Sequence, residues 1–212
     1  MNRTLEPEIL DSLSPEDPAA RRSRRDLRII NWVMGNRRWF RRGLRGAVGA
    51  GERILELGPG TGEMGLGLAA AGYSVDGLDI CPRPAQWPPS SEWHQADLRF
   101  FGGYGRYPVV MANLILHHFS SAELAELGAR IAGARLIIAS EPARRARSQA
   151  LCAALAPLFG AHPVTRHDAR ISIAAGFLGD ELPRALGLRP EHWRLRCHTT
   201  LLGAYRMVAL RR

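Results

Sequence analysis

Short apolar runs alternate with amphipathic segments along most of the chain after residue 50. The apolar runs have the length of strands and are mostly apolar on both faces, as in parallel strands at the centre of a sheet. Five strands are predicted in this way, at residues 54–57, 74–78, 92–96, 109–112 and 136–139. Helical patterns lie between them, at 64–71 and from Ser120, where Ser120 and Glu123 predict a capping box. This alternation predicts a doubly wound α/β sheet.

The two ends of the chain follow other patterns. Residues 192–199 and 204–210 are extended segments separated by a short turn, which predicts an antiparallel hairpin at the sheet edge and seven strands in total. Helices are predicted at 18–34, 144–159 and 171–186, the last broken by Gly176, Gly179 and Pro183, and residues 1–17 are predicted to be mobile. We therefore predict a sheet domain at 51–212 and an N-terminal helical extension at 1–50.

A glycine-rich turn follows the first predicted strand directly. Residues 53–62 have the sequence RILELGPGTG, in which Glu56 precedes Gly58, Gly60 and Gly62. Glycine permits tight turns and close approach of a ligand to the backbone, and the free N–H groups of the next helix point into the same gap. This turn predicts a site for a nucleotide-like ligand.

Polar residues end four of the predicted strands, where ligands of such sheets bind. These residues are Glu56, Asp79, Asp97 and Asn113. Asp79 lies 21 residues after Gly58, a distance at which an acid can accept hydrogen bonds from both ribose hydroxyls. The alternative for Asp79 is a helix cap or a turn residue.

A dinucleotide-binding site is a weaker alternative. Residues 60–65 also fit the pattern Gly-x-Gly-x-x-Gly. This window begins three residues after the strand, and Asp79 then comes too early. A dehydrogenase would also continue with a parallel crossover rather than a terminal hairpin.

Composition limits the partners that we expect. The formal net charge is +9, and all 29 basic residues are arginines. The absence of lysine favours a compositional bias over a surface adapted to phosphate, so nucleic acid is not the expected partner. The cysteines Cys81, Cys152 and Cys197 are far apart and lack zinc-ligand spacing, so we expect no metal and a cytoplasmic location. No signal peptide or membrane span is predicted.

The acidic-x-Gly-x-Gly-x-Gly motif resembles the first motif of class I S-adenosylmethionine-dependent methyltransferases, and the resemblance extends over residues 52–210. It implies that residues 51–212 form the catalytic domain and that the N-terminal helical extension, 1–50, covers the active site as a lid. It implies that S-adenosylmethionine is the cofactor, with its amino-acid part on Gly58, Gly60 and Gly62 and its ammonium near Glu56. It also assigns contacts to the rest of the cofactor. These are Asp79 with the ribose, Ile80 and Leu98 with the adenine ring, Asp97 with the adenine amino group, and Asn113 and Leu114 with the methionine.

Residues 113–119, NLILHHF, and 140–144, SEPAR, resemble small-molecule methyltransferases of bacterial secondary-metabolite clusters. The resemblance places His117 and His118 beside the acceptor, where an imidazole can take its proton. The alternative is one buried, backbone-bonded histidine and one exposed histidine. The expected acceptor is a small hydroxylated or phenolic metabolite. The implied substrate pocket contains Trp32, Glu141, Arg144 and Phe177, of which the aromatic residues have core packing as their alternative.

Two other functions remain open. An RNA methyltransferase would suit the arginine content, but the chain lacks an Asn-Pro-Pro-Tyr type motif after the fourth strand. A non-catalytic nucleotide-binding protein could also have this fold, because fold alone does not give function.

Overall fold

The computed structural model describes residues 2–14, 16–158 and 160–212. One seven-stranded sheet organises these residues, in the order β3-β2-β1-β4-β5-β7-β6. The strands are β1 (Arg53–Leu57), β2 (Ser74–Asp79), β3 (Trp93–Gln95), β4 (Val109–Asn113), β5 (Leu136–Pro142), β6 (Trp193–Thr199) and β7 (Ala204–Arg211). The first five are parallel, whereas β7 is antiparallel to both β5 and β6. The predicted α/β sheet with its C-terminal antiparallel hairpin is confirmed.

Helices cover both faces of the sheet. They are α1 (Ile9–Ser12), α2 (Pro18–Val33), α3 (Asn36–Leu44), α4 (Glu63–Ala69), α5 (Ser121–Arg130), α6 (Ala146–Leu158), α7 (Pro163–Ala175) and α8 (Glu181–Ala185). Strand β4 shows how the two faces are built. Val109 and Met111 pack with residues of α3 and α4, while Val110 and Ala112 pack with residues of α5 and α8. Burial on both faces explains the continuous apolar runs in the sequence.

The connectivity changes direction at β1. The chain proceeds from β1 through β2 to β3 on one side and then returns to β4 on the other side. A crevice opens outside the carboxyl ends of β1 and β4 at such a switch point. The glycine turn after β1 and the loop after β4 therefore meet at the same edge.

The capping box of α5 is confirmed, since the Ser120 and Glu123 side chains each bond the backbone N–H of the other residue. The helical segment predicted at 171–186, with breaks at Gly176, Gly179 and Pro183, is partly confirmed. Helix α7 begins earlier, at Pro163, and ends at Ala175, before Gly176, which adopts an extended conformation. A Cβ at Gly176 would overlap the carbonyl of Pro142, and the Phe177 N–H donates to that carbonyl, so the chain leaves the helix to pass β5. The predicted break at Pro183 is wrong, because Pro183 lies in the first turn of α8, where proline is tolerated.

The helix predicted at 144–159 begins only at Ala146, because β5 extends to Pro142 and Ala143 bridges Phe177. Its predicted end, residue 159, lies outside the described residues.

The N-terminal segment, which was expected to be mobile, lies across α7. The backbone N–H groups of Ile9 and Leu10 each donate to the carboxylate of Asp168, both at 2.9 Å. The Arg3 guanidinium donates to the carbonyls of Ala175 and Phe119, both at 2.7 Å. Long-range side-chain contacts, which a local pattern cannot reveal, fix this segment.

Charge is unevenly distributed between the N-terminal helices and the rest of the chain. Residues 18–46 contain ten arginines and one acidic residue, so they carry the whole formal net charge of +9. Nine of those arginines are exposed. Elsewhere 19 arginines balance 19 acidic residues. One side of the molecule, formed by α2 and α3, is therefore strongly basic.

Candidate functional site

The turn after β1 consists of left-handed glycines. Gly58, Gly60 and Gly62 have φ angles of 59°, 56° and 83°, which residues with a Cβ rarely adopt. A Cβ at Gly58 would lie 2.5 Å from Cγ1 of Ile115, so the loop after β4 closes on the turn. At Gly60 no described atom lies within 4 Å of an added Cβ. The turn is thus packed at its base and open at Gly60.

Asp79 joins the end of β2 to this turn. Its Oδ2 accepts a hydrogen bond from the Gly60 N–H and its Oδ1 accepts one from the Cys81 N–H, both at 2.8 Å. Ionised carboxylate oxygens have about four acceptor positions, so two positions remain for hydroxyl groups. The structure therefore brings Asp79 and the glycine turn together, as the sequence predicted.

Glu56, in β1, is a buried acid with one unpaired oxygen among the described residues. Only 2% of the residue is exposed, and its Oε2 has no hydrogen-bond partner among the described residues. Burial raises the pKa of the Glu56 carboxyl to about 8, although a hydrogen bond from the Gly65 backbone opposes the shift. Buried polar atoms are nearly always paired, so a cation that approached Glu56 would satisfy an unpaired group. We name the space bounded by Glu56, the Gly58–Gly62 turn, Asp79 and Asn113 the glycine crevice.

The residues predicted to surround adenine differ in burial, and one of them is already paired. Asp97 pairs with the Arg99 guanidinium at 2.6 Å, and this contact lowers the pKa of the Asp97 carboxyl. Arg99 also bridges to Glu123 at 3.0 Å. Leu98 is buried, whereas 67% of Ile80 is exposed at the end of β2. Asp97 is thus already occupied by Arg99, a partner that sequence analysis missed although it lies only two residues away.

Asn113 connects the crevice to the N-terminal helices. Its side-chain amide donates to Asn31 Oδ1 at 3.0 Å, and its Oδ1 accepts from the Asn36 amide at 3.1 Å. The next residue, Leu114, is the one non-glycine residue with positive φ in the described ranges, at 58°. Strained backbone of this kind often marks functional sites. Asn31 and Asn36 were not predicted, because their partner is more than 70 residues away.

A buried carboxylate holds the loop that follows. Glu141, at the end of β5, has 0% exposure, and its Oε1 accepts from the N–H groups of Ile115 and Leu116 at 3.2 and 3.0 Å. Its Oε2 lies 2.7 Å from Nδ1 of His117. Glu141 therefore lies behind His117 and fixes the orientation of its ring.

Carboxylates face both ring nitrogens of His117. Nε2 lies 3.5 Å from Oε1 of Glu8, a residue of the N-terminal segment. Burial lowers the pKa of His117, but the hydrogen bonds to Glu141 and Glu8 outweigh it and raise the pKa to about 9. His117 is consequently an imidazolium at neutral pH in this arrangement.

His118 lies against His117, with ring centroids 4.3 Å apart. Its Nδ1 lies 3.7 Å from Oδ2 of Asp11. Burial and the neighbouring positive His117 lower the pKa of His118. Both histidines open into a cavity of about 380 Å³, which we name the histidine cavity. Its lining residues are Leu5, Glu6, Pro7, Glu8, Asp11, His117, His118, Ile171 and Ala175.

No family model and no curated protein matches this chain. Solved structures do match it. The plantazolicin methyltransferase BpumL, in complex with a triazolic desmethylPZN analog and SAH, has a TM-score of 0.71 and 10% identity, covering 95% of this chain and 93% of that one. Magnesium protoporphyrin IX methyltransferase (ChlM) from Synechocystis PCC 6803, with bound SAM, has a TM-score of 0.53 and 18% identity, covering 90% and 84%.

The chain has the class I methyltransferase fold. A third match is the structure described as conversion of a disulfide bond into a thioacetal group during echinomycin biosynthesis, with a TM-score of 0.55, 21% identity and 79% coverage of both chains. At these identities the likeness establishes the fold, and the chemistry has to be argued from the residues of this chain.

Within this methyltransferase fold, all four predicted pocket residues lie outside the lining of the histidine cavity, and Glu141 is fully buried behind His117. Trp32 is 81% exposed on the surface of α2. Phe177 is buried in the core, with the Arg3 guanidinium 4.7 Å from its ring centre. Arg144 is buried, pairs with Glu181 and donates to the Gly176 carbonyl at 3.2 Å. The residues that do line the cavity come largely from the segment 5–11, in which no motif indicates a role.

Among the residues that the structure describes, no helix has the length and apolar character needed to cross a membrane.

Proposed function

We propose that this chain is an S-adenosylmethionine-dependent methyltransferase that acts on a small hydroxylated or phenolic molecule. The observation that carries the proposal is the buried carboxyl of Glu56, whose Oε2 has no partner among the described residues, beside a glycine turn that Asp79 ties to β2. A cofactor with an ammonium group at one end and a ribose at the other would satisfy both acids. The fold supports the proposal, since BpumL and ChlM were crystallised with SAH or SAM.

The proposed cofactor contacts follow the crevice from end to end. Glu56 would bind the ammonium, and the backbone of the Gly58–Gly62 turn would hold the rest of the amino-acid part. Asp79 would accept both ribose hydroxyls while keeping its bonds to Gly60 and Cys81. Asn113 and Leu114 would lie beside the methionine chain, and Ile80 and Leu98 beside adenine. Asp97 would have to give up a contact with Arg99 to accept from the adenine amino group, because Arg99 donates to both of its carboxylate oxygens.

The proposed acceptor site is the histidine cavity. S-Adenosylmethionine supplies an electrophilic methyl group, and the protein accelerates transfer mainly by aligning the acceptor and excluding water. Of the two candidate bases, His118 is better placed, because carboxylates face both ring nitrogens of His117. We propose that His118 takes the acceptor's proton and that Glu141 and His117 hold the loop in position.

The primary test is binding followed by transfer. SAH should raise the melting temperature of the chain while NAD should not, because a ligand that binds only the native state stabilises it. Transfer of labelled methyl from S-adenosylmethionine to a panel of phenols and other hydroxylated metabolites would then establish the reaction. A shift with NAD alone would refute the cofactor assignment. SAH binding without transfer to any acceptor would favour a non-catalytic protein.

An RNA methyltransferase is the second candidate, and the basic stretch at 18–46 is the observation that favours it. Filter binding to RNA over a salt series distinguishes the two. Tight binding that weakens steeply with salt would support RNA as the acceptor, because phosphate contacts release counterions. We further propose a cytoplasmic location, in keeping with three free thiols.

A further inference from the structure

Three side chains around the histidine cavity converge in the manner of metal ligands. One donor atom each from Glu8, His117 and His118 lies within 4.8 Å of the other two. The distance from His117 Nε2 to Glu8 Oε1 is 3.5 Å. Two ligands at zinc bond lengths of about 2.0–2.1 Å are separated by about 3.3–3.5 Å in a tetrahedral site. Little movement would therefore bring these donors onto one ion.

The surroundings of His117 strengthen this geometry. Metal-binding histidines commonly donate their second ring N–H to a carboxylate, which fixes the ring and makes the ligand nitrogen more basic. Glu141 is such a carboxylate, at 2.7 Å from Nδ1, and backbone N–H groups anchor it in turn. The Nε2 atom of His117 thus points toward Glu8 and the cavity. The carboxylate of Asp11, 3.7 Å from His118 Nδ1, lies outside this group of three and would have to move to become a fourth ligand.

In a second histidine–carboxylate group, arginines already pair with the carboxylates. Asp76, Glu92 and His94 also bring donor atoms within 4.8 Å. There, however, Arg53 pairs with Asp76 and Arg106 pairs with Glu92. Glu8 and Asp11 instead form ion pairs with the two histidines of the cavity, Glu8 with His117 and Asp11 with His118. The Ser172 hydroxyl also donates a hydrogen bond to the Glu8 carboxylate.

We propose that the histidine cavity binds one divalent transition-metal ion, with zinc as the best match. The ligands are His117 Nε2, a ring nitrogen of His118 and the Glu8 carboxylate, with Asp11 as the fourth. Mixed imidazole and carboxylate donors favour Zn²⁺ or Co²⁺ over Mg²⁺, which prefers oxygen ligands in an octahedron. The ion replaces the proton on His117 Nε2. This metal-site proposal is independent of the proposed methyl transfer. While the ion is bound, the two histidines cannot act as bases.

The test is calorimetric titration of the EDTA-treated full chain with ZnCl₂, CoCl₂ and MgCl₂. We expect one equivalent of Zn²⁺ to bind, Co²⁺ to bind with absorption typical of nitrogen and oxygen ligands, and Mg²⁺ not to bind. Glu8→Gln and His118→Ala should each weaken zinc binding at least about tenfold, since each removes a direct ligand.

Three matched variants serve as controls. Glu6→Gln alters another acid of the same cavity, Glu92→Gln alters the arginine-paired cluster, and Cys81→Ser removes an exposed thiol. All three should bind zinc like the unaltered chain. The proposal is overturned if zinc does not bind, if Mg²⁺ binds equally well, or if Glu8→Gln and His118→Ala bind zinc unchanged.

The melting-temperature shift with SAH, measured on the same samples, separates this inference from the proposed function. Zinc binding lost and the SAH shift retained would refute the metal site alone. Zinc binding retained without an SAH shift would refute the cofactor proposal and leave the metal site standing. Circular dichroism of Glu8→Gln and His118→Ala shows whether a loss of zinc binding reflects unfolding, and in that case Asp11→Asn replaces them.

Discussion

The glycine crevice and the histidine cavity meet at the loop after β4, but they are built in opposite ways. Backbone and strand ends within about 60 residues form the crevice, and its geometry follows from the parallel register of β1, β2 and β4. Side chains form the cavity, and they come from segments more than 100 residues apart, such as Glu8 and His117. The first kind of site is fixed by the fold, whereas the second depends on how the N-terminal segment docks.

The largest effect expected in the crevice is on stability. Glu56 has a folded pKa of about 8 against an ordinary value of 4.5. The unfolded chain therefore loses this proton first, and stability falls as pH rises from about 4.5 to 8, then levels off. Glu56→Gln removes this loss and should add about 2–4 kcal/mol at pH 8 while adding little at pH 4.5.

Urea unfolding of Glu56→Gln at several pH values measures that gain. The exposed Glu126→Gln is the control and should show no such slope. If the free energy of unfolding of the two variants depends on pH in the same way, the pKa of Glu56 is not raised in the folded chain.

In the cavity, the largest expected effect is on turnover. His118→Ala should lower kcat by about 100-fold, a typical contribution of a positioned base, without changing SAH affinity. The assay is run with EDTA so that bound metal does not enter the result. His167→Ala, which alters a histidine of α7 outside the cavity, should retain full turnover. Undiminished turnover in His118→Ala would leave alignment as the whole mechanism.

A smaller effect separates the two sites. Asp79→Ala removes the ribose acceptor and should weaken SAH binding by on the order of 1.5–3 kcal/mol, as expected for lost charge-assisted hydrogen bonds. Zinc binding in the cavity should not change. Calorimetry with each ligand measures both, and equal SAH affinity in the variant would remove Asp79 from the crevice.

The smallest expected effect concerns a residue that belongs to neither site. Trp32→Ala should change stability by less than about 0.5 kcal/mol, because the side chain is 81% exposed. The KM for the acceptor should also stay the same. A rise in KM would instead support the pocket role that the sequence suggested for Trp32.

The sequence allowed the crevice to be predicted because its information is local. The glycines, Glu56 and Asp79 lie at strand ends whose alignment follows once a parallel sheet is assumed. The role of Glu8 could not be predicted, since nothing near it in the sequence indicates that it contacts His117 and Ser172. Gly176 shows the same limit for the fold. The break in the helix could be predicted from the glycine itself, but the contact with the Pro142 carbonyl that excludes a Cβ there could not.

The concentration of all net charge in residues 18–46 makes the molecule an electric dipole. Its positive pole lies beside the crevice, since Asn31 and Asn36 of the same helices reach Asn113. A dipolar protein orients its positive pole toward an approaching anionic solute, so the association rate is higher than diffusion without this attraction would give. Because ions screen this attraction beyond about 10 Å at 0.1 M, capture of anionic acceptors should slow with added salt while the bound geometry stays the same.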